Sequence, residues 1–393
     1  AALPHSQLRD AWAIKLPEGE PACSAVVDAP ALFFNDYGFY GNYYHFTYDM
    51  LLPLYAQLRR RGLDYGLDDA AAEPVMLWPA VQKRWNQPQH WETDFFSDGK
   101  RRQFYMEAFH GLFGAAPYEL RFTNISTVMD HRELCFNNAT FGLPWVWDGA
   151  GAVDREMYGW DYERLADAAG GVHQRDLMLG FRRFVRRRLG LEGEAQDPST
   201  VTVALISRQG RRKIANEVEV MTQLHGEYAA KTFTRTSCAA AAGEEEESGE
   251  SGTCAAAPQE VKVRLGLVDF AAHSFRDQVQ KAGTIDVMIG VNGAGLINCL
   301  YGKEDGVCTQ IIPYGNDLNF DEFRYLLRQK GRYDEYKVPT EAGVVLPAEG
   351  LDSAAREERL RSPNQDTIID VDDLRRLIDQ SLDRLGVAES TPS

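Results

Sequence analysis

Two segments in the C-terminal half of the chain have the residue types of an anion-binding site. Residues 206–217 (ISRQGRRKIANE) follow an apolar run and hold four cationic side chains. The planar fork of arginine binds phosphate oxygens in pairs, so this segment suits a phosphate-bearing ligand. Residues 290–298 (GVNGAGLIN) run from an apolar stretch into glycines, which let the backbone approach a ligand closely. Free amides at the start of a following helix would bind a diphosphate there, although tight turns without a ligand share this pattern.

A third chemical feature is a histidine–aspartate pair in the N-terminal half. His45 and Asp49 are four residues apart and would share one face of an α-helix, where the carboxylate could orient the imidazole. Either group has the chemistry of a general base, and the spacing does not say which one would act. Taken alone, such a pair is more often an ordinary surface pair.

The elements that must position these residues follow from hydrophobic periodicity. From residue 201 onward strands and helices alternate, with strands at 201–207, 261–267, 285–291 and 309–312 and helices at 217–224, 275–282 and 296–302. This alternation predicts an α/β fold with a parallel sheet and with ligands at the carboxyl ends of its strands. The cationic and glycine-containing segments would therefore project from the same edge of one sheet.

The N-terminal half has a weaker pattern. It opens with an apolar segment at 26–34. We predict strands at 75–78 and 134–136, a helix at 43–61 capped by Asn42 and bent at Pro53, and a basic helix at 172–189. With 393 residues the chain is long enough for two lobes. The predicted domains are 1–195, 196–345 with a disordered acidic insertion at 237–258, and a C-terminal tail and helix at 346–393.

Composition restricts the partners and bears on the compartment. A net charge of −16 opposes binding to nucleic acid, and no run approaches the roughly 20 apolar residues of a membrane-spanning helix. The sequence begins at Ala1, so a membrane anchor upstream of this numbering is compatible with it. Asn124 and Asn138 stand in Asn-x-Ser/Thr sequons, which are weak indicators of the secretory pathway.

Two features concern metals and disulfides. The six cysteines lack Cys-x-x-Cys spacing, which disfavours zinc, and a bridge between Cys238 and Cys254 is as compatible with the sequence as free thiols are. Asp370 and Asp372 form an Asp-x-Asp motif of the kind that holds Mg²⁺ on a diphosphate. They directly precede an amphipathic helical pattern, however, so we favour helix capping over metal ligation.

Together, these segments resemble the motifs of glycosyltransferase family 61. Residues 41–53 resemble its Asn-x-x-His-x-x-x-Asp-x-x-Pro element, residues 207–217 its Ser-Arg…Arg…Asn-Glu element, and residues 287–298 its Val-Gly-Val-His-Gly-Ala-Gly-Leu-Thr-Asn element. Residues 274–278 (SFRDQ) resemble the Ser-Phe-x-Glu-Gln segment that precedes the last element. One departure is Asn292, which stands where the family usually has histidine. Residues 62–190 match no motif.

The resemblance implies a fold and a reaction. The fold would be GT-B, with two facing Rossmann-like domains and a C-terminal helix that crosses back between them. The chemistry would be inverting transfer of xylose, N-acetylglucosamine or arabinose from a UDP-sugar to a hydroxyl of a glycan or glycoprotein, with no required metal or cofactor. The enzyme would work in the lumen of the Golgi or endoplasmic reticulum as a type II membrane protein.

The resemblance also assigns residues. Asp49 and His45 are the candidates for the catalytic base. The candidates for binding the donor are Arg208, Arg212, Asn216, Glu217, Asn292, Gly293, Ala294, Gly295, Leu296 and Asn298. Two other readings stay open at this point: an NAD(P)-dependent oxidoreductase with Asp317 on the ribose, and a pseudoenzyme that binds a UDP-sugar without turnover.

Overall fold

The computed structural model describes residues 25–35, 43–66, 72–80, 99–120, 134–141, 173–193, 197–236, 258–315, 323, 327, 332–346, 352–362 and 364–390. These residues form an α/β protein with two main sheets, consistent with a Rossmann-like arrangement. Several predicted features lie outside the described residues: the Asn42 cap, the Asn124 sequon, Asp317, Cys23, Cys238 and Cys254, and residues 237–257 of the insertion.

The first lobe contains a sheet of four parallel strands in the order β4-β3-β2-β6, and a separate parallel pair of β1 and β5. The strands are β1 (Ala25–Val27), β2 (Ala31–Asn35), β3 (Val75–Ala80), β4 (Tyr118–Leu120), β5 (Leu134–Phe136) and β6 (Ala139–Phe141). Both predicted strands are present, as β3 and β5. The apolar segment at 26–34 forms β1 and β2, with a break at residues 28–30 because Pro30 has no N–H for a sheet hydrogen bond.

The first helix, α1, changes type along its length. Tyr43–His45 and Leu52–Arg60 are α-helical, whereas Phe46–Leu51 between them is π-helical. Pro53 has no N–H to offer the carbonyl of residue 49, and a π-helix uses i→i+5 hydrogen bonds instead. The π-helical segment thus lies directly before Pro53, the residue at which the sequence predicts a bend. Two further helices of this lobe lie in the described ranges, α2 (Gly99–Phe113) and α3 (Gln174–Arg188).

The second lobe is built on seven strands in the order β12-β11-β10-β7-β9-β8-β13. The first five in this order are parallel, and β8 is antiparallel to both of its neighbours. The strands are β7 (Thr200–Ile206), β8 (Phe233–Arg235), β9 (Gln259–Val268), β10 (Val287–Val291), β11 (Val307–Ile312), β12 (Arg332–Lys337) and β13 (Val387–Glu389). The helices are α4 (Glu217–Ala229), α5 (Phe275–Gly283), α6 (Ser353–Leu360) and α7 (Val371–Arg384).

The predicted alternation of strand and helix is confirmed in this lobe, with two differences. Strands β8, β12 and β13 were not predicted. The segment predicted as a helix at 296–302 is a 3₁₀ segment, Ala294–Leu300, rather than an α-helix. Its first turn has the i→i+3 hydrogen bond of a 3₁₀-helix, because the amide of Leu296 donates to the carbonyl of Gly293 at 2.9 Å.

One apolar core joins the two lobes. Phe34 and Tyr55 of the first lobe belong to the same buried cluster as Ile206, Phe275 and Tyr301 of the second. Alternate residues along β7 point to opposite faces of the sheet. One set belongs to this shared cluster, and the other set packs in a second cluster with residues of α4 and α7. One face of the second sheet therefore packs in a core with α5, the 3₁₀ segment and the first lobe, and the opposite face packs with α4 and α7.

Among the described residues, the C-terminal helix packs on the second lobe, whereas the resemblance implied that it crosses back between the lobes. The principal contacts of α7 are to α4, β10, β11 and β13, all in the second lobe. Its apolar stripe, which includes Leu374 and Leu377, is buried in the second cluster. Asp370 caps the helix by accepting hydrogen bonds from the amides of Asp372 and Asp373, so the predicted capping is observed.

The described residues also show two features that bear on the compartment. Cys299 and Cys308 form a disulfide that joins the 3₁₀ segment to β11, and Cys135 is also disulfide-bonded. Asn138 is exposed in the turn between β5 and β6, where its side-chain oxygen accepts from Arg61. Across the described ranges, no helix is both long and apolar enough to span a bilayer.

Candidate functional site

A cleft of about 530 Å³ lies where the two lobes meet. It is lined by Ile206 at the end of β7, by the following loop at 207–212, and by Ala294, Gly295 and Asn298 of the 3₁₀ segment. The first lobe contributes the aromatic side chains of Tyr43, Phe104 and Tyr105. This volume is in the range of small-molecule sites, and the walls combine cationic with aromatic groups.

The cationic loop and the glycine turn meet at Asn292, directly after β10. Arg208 donates from Nη1 to the backbone oxygen of Asn292 at 2.9 Å, and Arg212 donates from Nη1 to its side-chain oxygen, also at 2.9 Å. Arg212 has a positive φ of 58°, which is uncommon for a residue with a side chain. The loop therefore takes a left-handed turn that brings a second guanidinium onto the same asparagine.

Positive charge is concentrated around Arg208 in the cleft. Burial, followed by the neighbouring charges of Arg212 and Arg211, lowers the pKa of Arg208 to about 10. Asp366 acts in the opposite direction but contributes less than these causes. Arg208 stays protonated at neutral pH, so the cleft holds a crowded positive charge that an anionic ligand would relieve.

The turn itself requires glycine at position 293. Gly293 has a φ of 154°, and a Cβ at this position would fall on the guanidinium of Arg208. Gly295 packs closely against the side chain of Ile206. The small residues of the turn thus allow the arginine loop to pack closely against it, in addition to any contact with a ligand.

Five of the predicted donor-binding residues do not line the cleft: Asn292 and Gly293, whose contacts with the arginines are described above, and Asn216, Glu217 and Leu296. The side chain of Asn216 makes two hydrogen bonds to the backbone of Ile369, at 2.8 and 3.1 Å, and so anchors the segment before α7. Glu217 accepts from Ser207 Oγ at 2.6 Å and supports the start of the arginine loop. Leu296 has its amide engaged in the turn and its side chain in the core.

Asn298, by contrast, lies in the cleft wall and links the lobes. Its Nδ2 donates to the carbonyl of Gly295 at 3.1 Å and to Oε1 of Gln278 at 3.3 Å. Its Oδ1 accepts from the hydroxyl of Tyr43 at 3.3 Å. This residue therefore connects the glycine turn with both α5 and α1.

The backbone of His45 and Asp49 lies in α1, the helix that reaches the cleft through Tyr43. Their side chains lie outside the described part of the structure. The residues between them are π-helical, whereas the predicted shared face assumes an α-helix. The contact between this helix and the second lobe is nevertheless close. The hydroxyl of Tyr301 donates to Oγ1 of Thr47 at 3.3 Å.

Sequence reasoning missed the aromatic wall of the cleft. Phe104 and Tyr105 belong to α2, within the stretch 62–190 that matched no motif. Phe104 contacts Tyr43 edge-on, with 5.4 Å between ring centroids. An adjacent aromatic pair in an amphipathic stretch carries no local signal that separates a cleft residue from a core residue.

Two comparisons with known proteins agree with this geometry. The family model described as Glycosyltransferase 61 matches residues 43–312, which is more than half of the chain. A β-1,2-xylosyltransferase of Oryza sativa subsp. japonica is 24% identical over 335 residues, which cover 83% of this chain and 54% of the relative. The chain thus spans about half the length of the curated relative that it matches. The matched region runs from the helix of the histidine–aspartate pair to the end of β11 and contains the whole arginine and glycine site, so the chain belongs to glycosyltransferase family 61.

Proposed function

We propose that this chain is an inverting glycosyltransferase of the GT-B type, which transfers a sugar from a UDP-sugar to a hydroxyl of a glycan or glycoprotein. The observation that carries the proposal is the pair of arginines on Asn292, held against a glycine turn in a cleft between two lobes. A diphosphate has the negative charge and the paired oxygens that suit two neighbouring guanidinium groups. Family membership supports sugar transfer over the oxidoreductase alternative.

Inverting transfer sets two chemical tasks. The departing UDP gains negative charge as the bond to the sugar breaks, and preorganised donors stabilise that charge. Arg208, Arg212 and the backbone of the turn are the groups that we assign to this task. The acceptor hydroxyl must lose its proton as it attacks from the opposite face, and Asp49 or His45 of α1 is our candidate base.

The donor, the compartment and the role of metal are parts of the same proposal. The name of the rice relative supports UDP-xylose as the first donor to test, beside UDP-N-acetylglucosamine and UDP-arabinose. The disulfides and the exposed sequon at Asn138 support the secretory lumen, where oxidised cysteines persist. Metal independence is supported by the capping role of Asp370, the first residue of the Asp-x-Asp motif.

The test is UDP release from each of the three donors, with a chelator present and acceptor glycans supplied. We expect at least one donor to be turned over, and Arg208→Ala to lower kcat/KM by about 100-fold or more, as the loss of one charge-stabilising donor does. The control is Arg264→Ala, which removes an exposed arginine of β9 in the same lobe.

The outcomes separate the competing proposals. Turnover that stops with the chelator would contradict metal independence and would redirect attention to Asp370 and Asp372. Binding of UDP without turnover of any donor would identify a pseudoenzyme. Equal activity of Arg208→Ala and wild type would remove the arginine pair from the donor site.

A further inference from the structure

The segment 274–278 has a structural role that the proposed chemistry does not use. It begins α5, with the hydroxyl of Ser274 accepting from the amide of Asp277. Gln278 is only 4% exposed, and both ends of its amide are engaged. Its Nε2 donates to the carbonyl of His273 at 3.1 Å, and its Oε1 accepts from Nδ2 of Asn298 at 3.3 Å. Because a backbone carbonyl can only accept, this contact fixes the orientation of the Gln278 amide.

The orientation of the Asn298 side-chain amide follows from the same reasoning. Asn298 is fully buried, and its Nδ2 donates to two acceptors, Oε1 of Gln278 and the carbonyl of Gly295. Its Oδ1 must then point towards the hydroxyl of Tyr43, which lies 3.3 Å away. One chain of hydrogen bonds therefore runs from α5 through the glycine turn to α1 of the first lobe.

The hydroxyl and the ring of Tyr43 have separable roles. The ring is held edge-on by Phe104 and by Phe275, with centroids 5.4 and 6.3 Å apart, so it would keep its place without the hydroxyl. The hydroxyl makes polar contacts with two side chains of the second lobe, Asn298 and Tyr301, and only the contact with Asn298 leads to the glycine turn. Removal of that single oxygen would uncouple the first lobe from the carbonyl of Gly295 without opening a large cavity.

We infer that Tyr43, Asn298 and Gln278 form a positioning unit, through which the first lobe holds the glycine turn in the shape that binds the donor. The unit acts on affinity for UDP and the UDP-sugar and not on the reacting atoms. This inference rests on the proposed function for its ligand. The positioning itself is independent of the ligand, because it concerns the mobility of the turn in the free protein.

The experiment compares Tyr43→Phe and Gln278→Met with wild type. We expect the Kd for UDP and the KM for the donor to rise about threefold to tenfold, which is the effect of one buried hydrogen bond, while kcat stays within about twofold. Hydrogen exchange of the amides at 294–300 in the free protein should accelerate in both variants. The control is Tyr228→Phe, which removes a buried tyrosine hydroxyl that donates to Asp379 at 2.5 Å, away from the cleft. It should lower Tm without changing either the Kd for UDP or exchange at 294–300.

Each result decides the inference. Unchanged exchange and unchanged Kd in Tyr43→Phe would overturn it, and so would a loss of kcat at constant KM, which would indicate a role in the chemistry. Should wild type fail to bind UDP, the proposed function fails, while the exchange comparison still tests the positioning unit. Should Gln278→Met not fold, Tyr43→Phe alone carries the test.

Discussion

Arg212 donates from Nη1 to the side-chain oxygen of Asn292 at 2.9 Å, and Asn292 is only 2% exposed. The backbone oxygen of the same asparagine accepts from Arg208. A neutral residue thus holds two guanidinium groups in place without cancelling their charge. A carboxylate at this position would hold them equally well but would remove the attraction for an anion.

The first prediction follows from this relationship and concerns Asn292→Asp. We expect the affinity for UDP to fall at least about tenfold, because the new carboxylate pairs with the arginines that would bind the diphosphate. The Tm should not fall, since the hydrogen bond to Arg212 is kept. Isothermal titration with UDP and thermal unfolding measure the two quantities. Asn364→Asp, on an exposed turn, adds the same charge as a control, and equal UDP affinity in the two variants would contradict the prediction.

The second prediction concerns Gly293→Ala. The substitution introduces a Cβ where the guanidinium of Arg208 lies, on a backbone with φ of 154°. We expect a loss of about 1–3 kcal/mol of stability from the strained backbone and a loss of measurable UDP binding. Gly226→Ala in α4 is the matched control, because a Cβ there meets nothing within 4 Å. That variant should be neutral or gain up to about 1 kcal/mol from helix propensity. Urea unfolding and UDP titration of both variants provide the check.

The third prediction concerns Arg188, a cation that is 2% exposed at the end of α3. Its guanidinium donates to the carbonyls of Leu112, Gly66, Ala115 and Ala116 at 2.6 to 3.2 Å. Arg188→Met leaves the carbonyls of the buried residues Leu112 and Gly66 without this donor, so we expect a loss of about 3 kcal/mol or more in the free energy of unfolding. Arg187→Met, which removes a half-exposed ion pair with Glu192, should cost less than about 1 kcal/mol. Equal losses in the two variants would refute the assigned role of Arg188.

The fourth prediction concerns the disulfide between Cys299 and Cys308, which ties the 3₁₀ segment to β11. The double variant Cys299→Ala/Cys308→Ala should lose about 2–3 kcal/mol of stability, because a cross-link over a short loop restricts the unfolded chain. The difference from wild type should shrink when both proteins are unfolded in the presence of dithiothreitol. A difference that is the same with and without the reductant would show that lost side-chain packing, not the cross-link, is the cause.

The relation between the arginine loop and the glycine turn could be anticipated from the sequence. β7 and β10 are neighbouring parallel strands, so the residues that follow Ile206 and Val291 emerge at the same edge of the sheet. Periodicity alone is sufficient to predict such strands, because apolar runs of this length with turn residues after them are typical of a buried parallel sheet. The hydrogen bonds at Asn292 depend on the left-handed turn at Arg212, for which the sequence gives no signal.

Other parts of the site depend on packing over long distances in the chain. Phe104 reaches the cleft because α2 packs against α5, a contact between residues more than 150 positions apart that no local pattern encodes. Leu296 was predicted to offer its amide to a ligand, but in the 3₁₀ turn this amide donates to the carbonyl of Gly293 at 2.9 Å. The crossing of α7 was expected from the resemblance, whereas its apolar stripe fits the face of its own sheet.

The apolar core that Phe34 and Tyr55 share with Phe275 and Tyr301 has a consequence for engineering. Neither lobe can be exchanged by itself, because the apolar face of a lobe taken from a relative is complementary to the other lobe of that relative and not to this one. A hybrid assembled from whole lobes should therefore express poorly even where each parent is stable. Donor preference is then best changed by substituting individual side chains along the cleft, without altering the buried residues that the two lobes share.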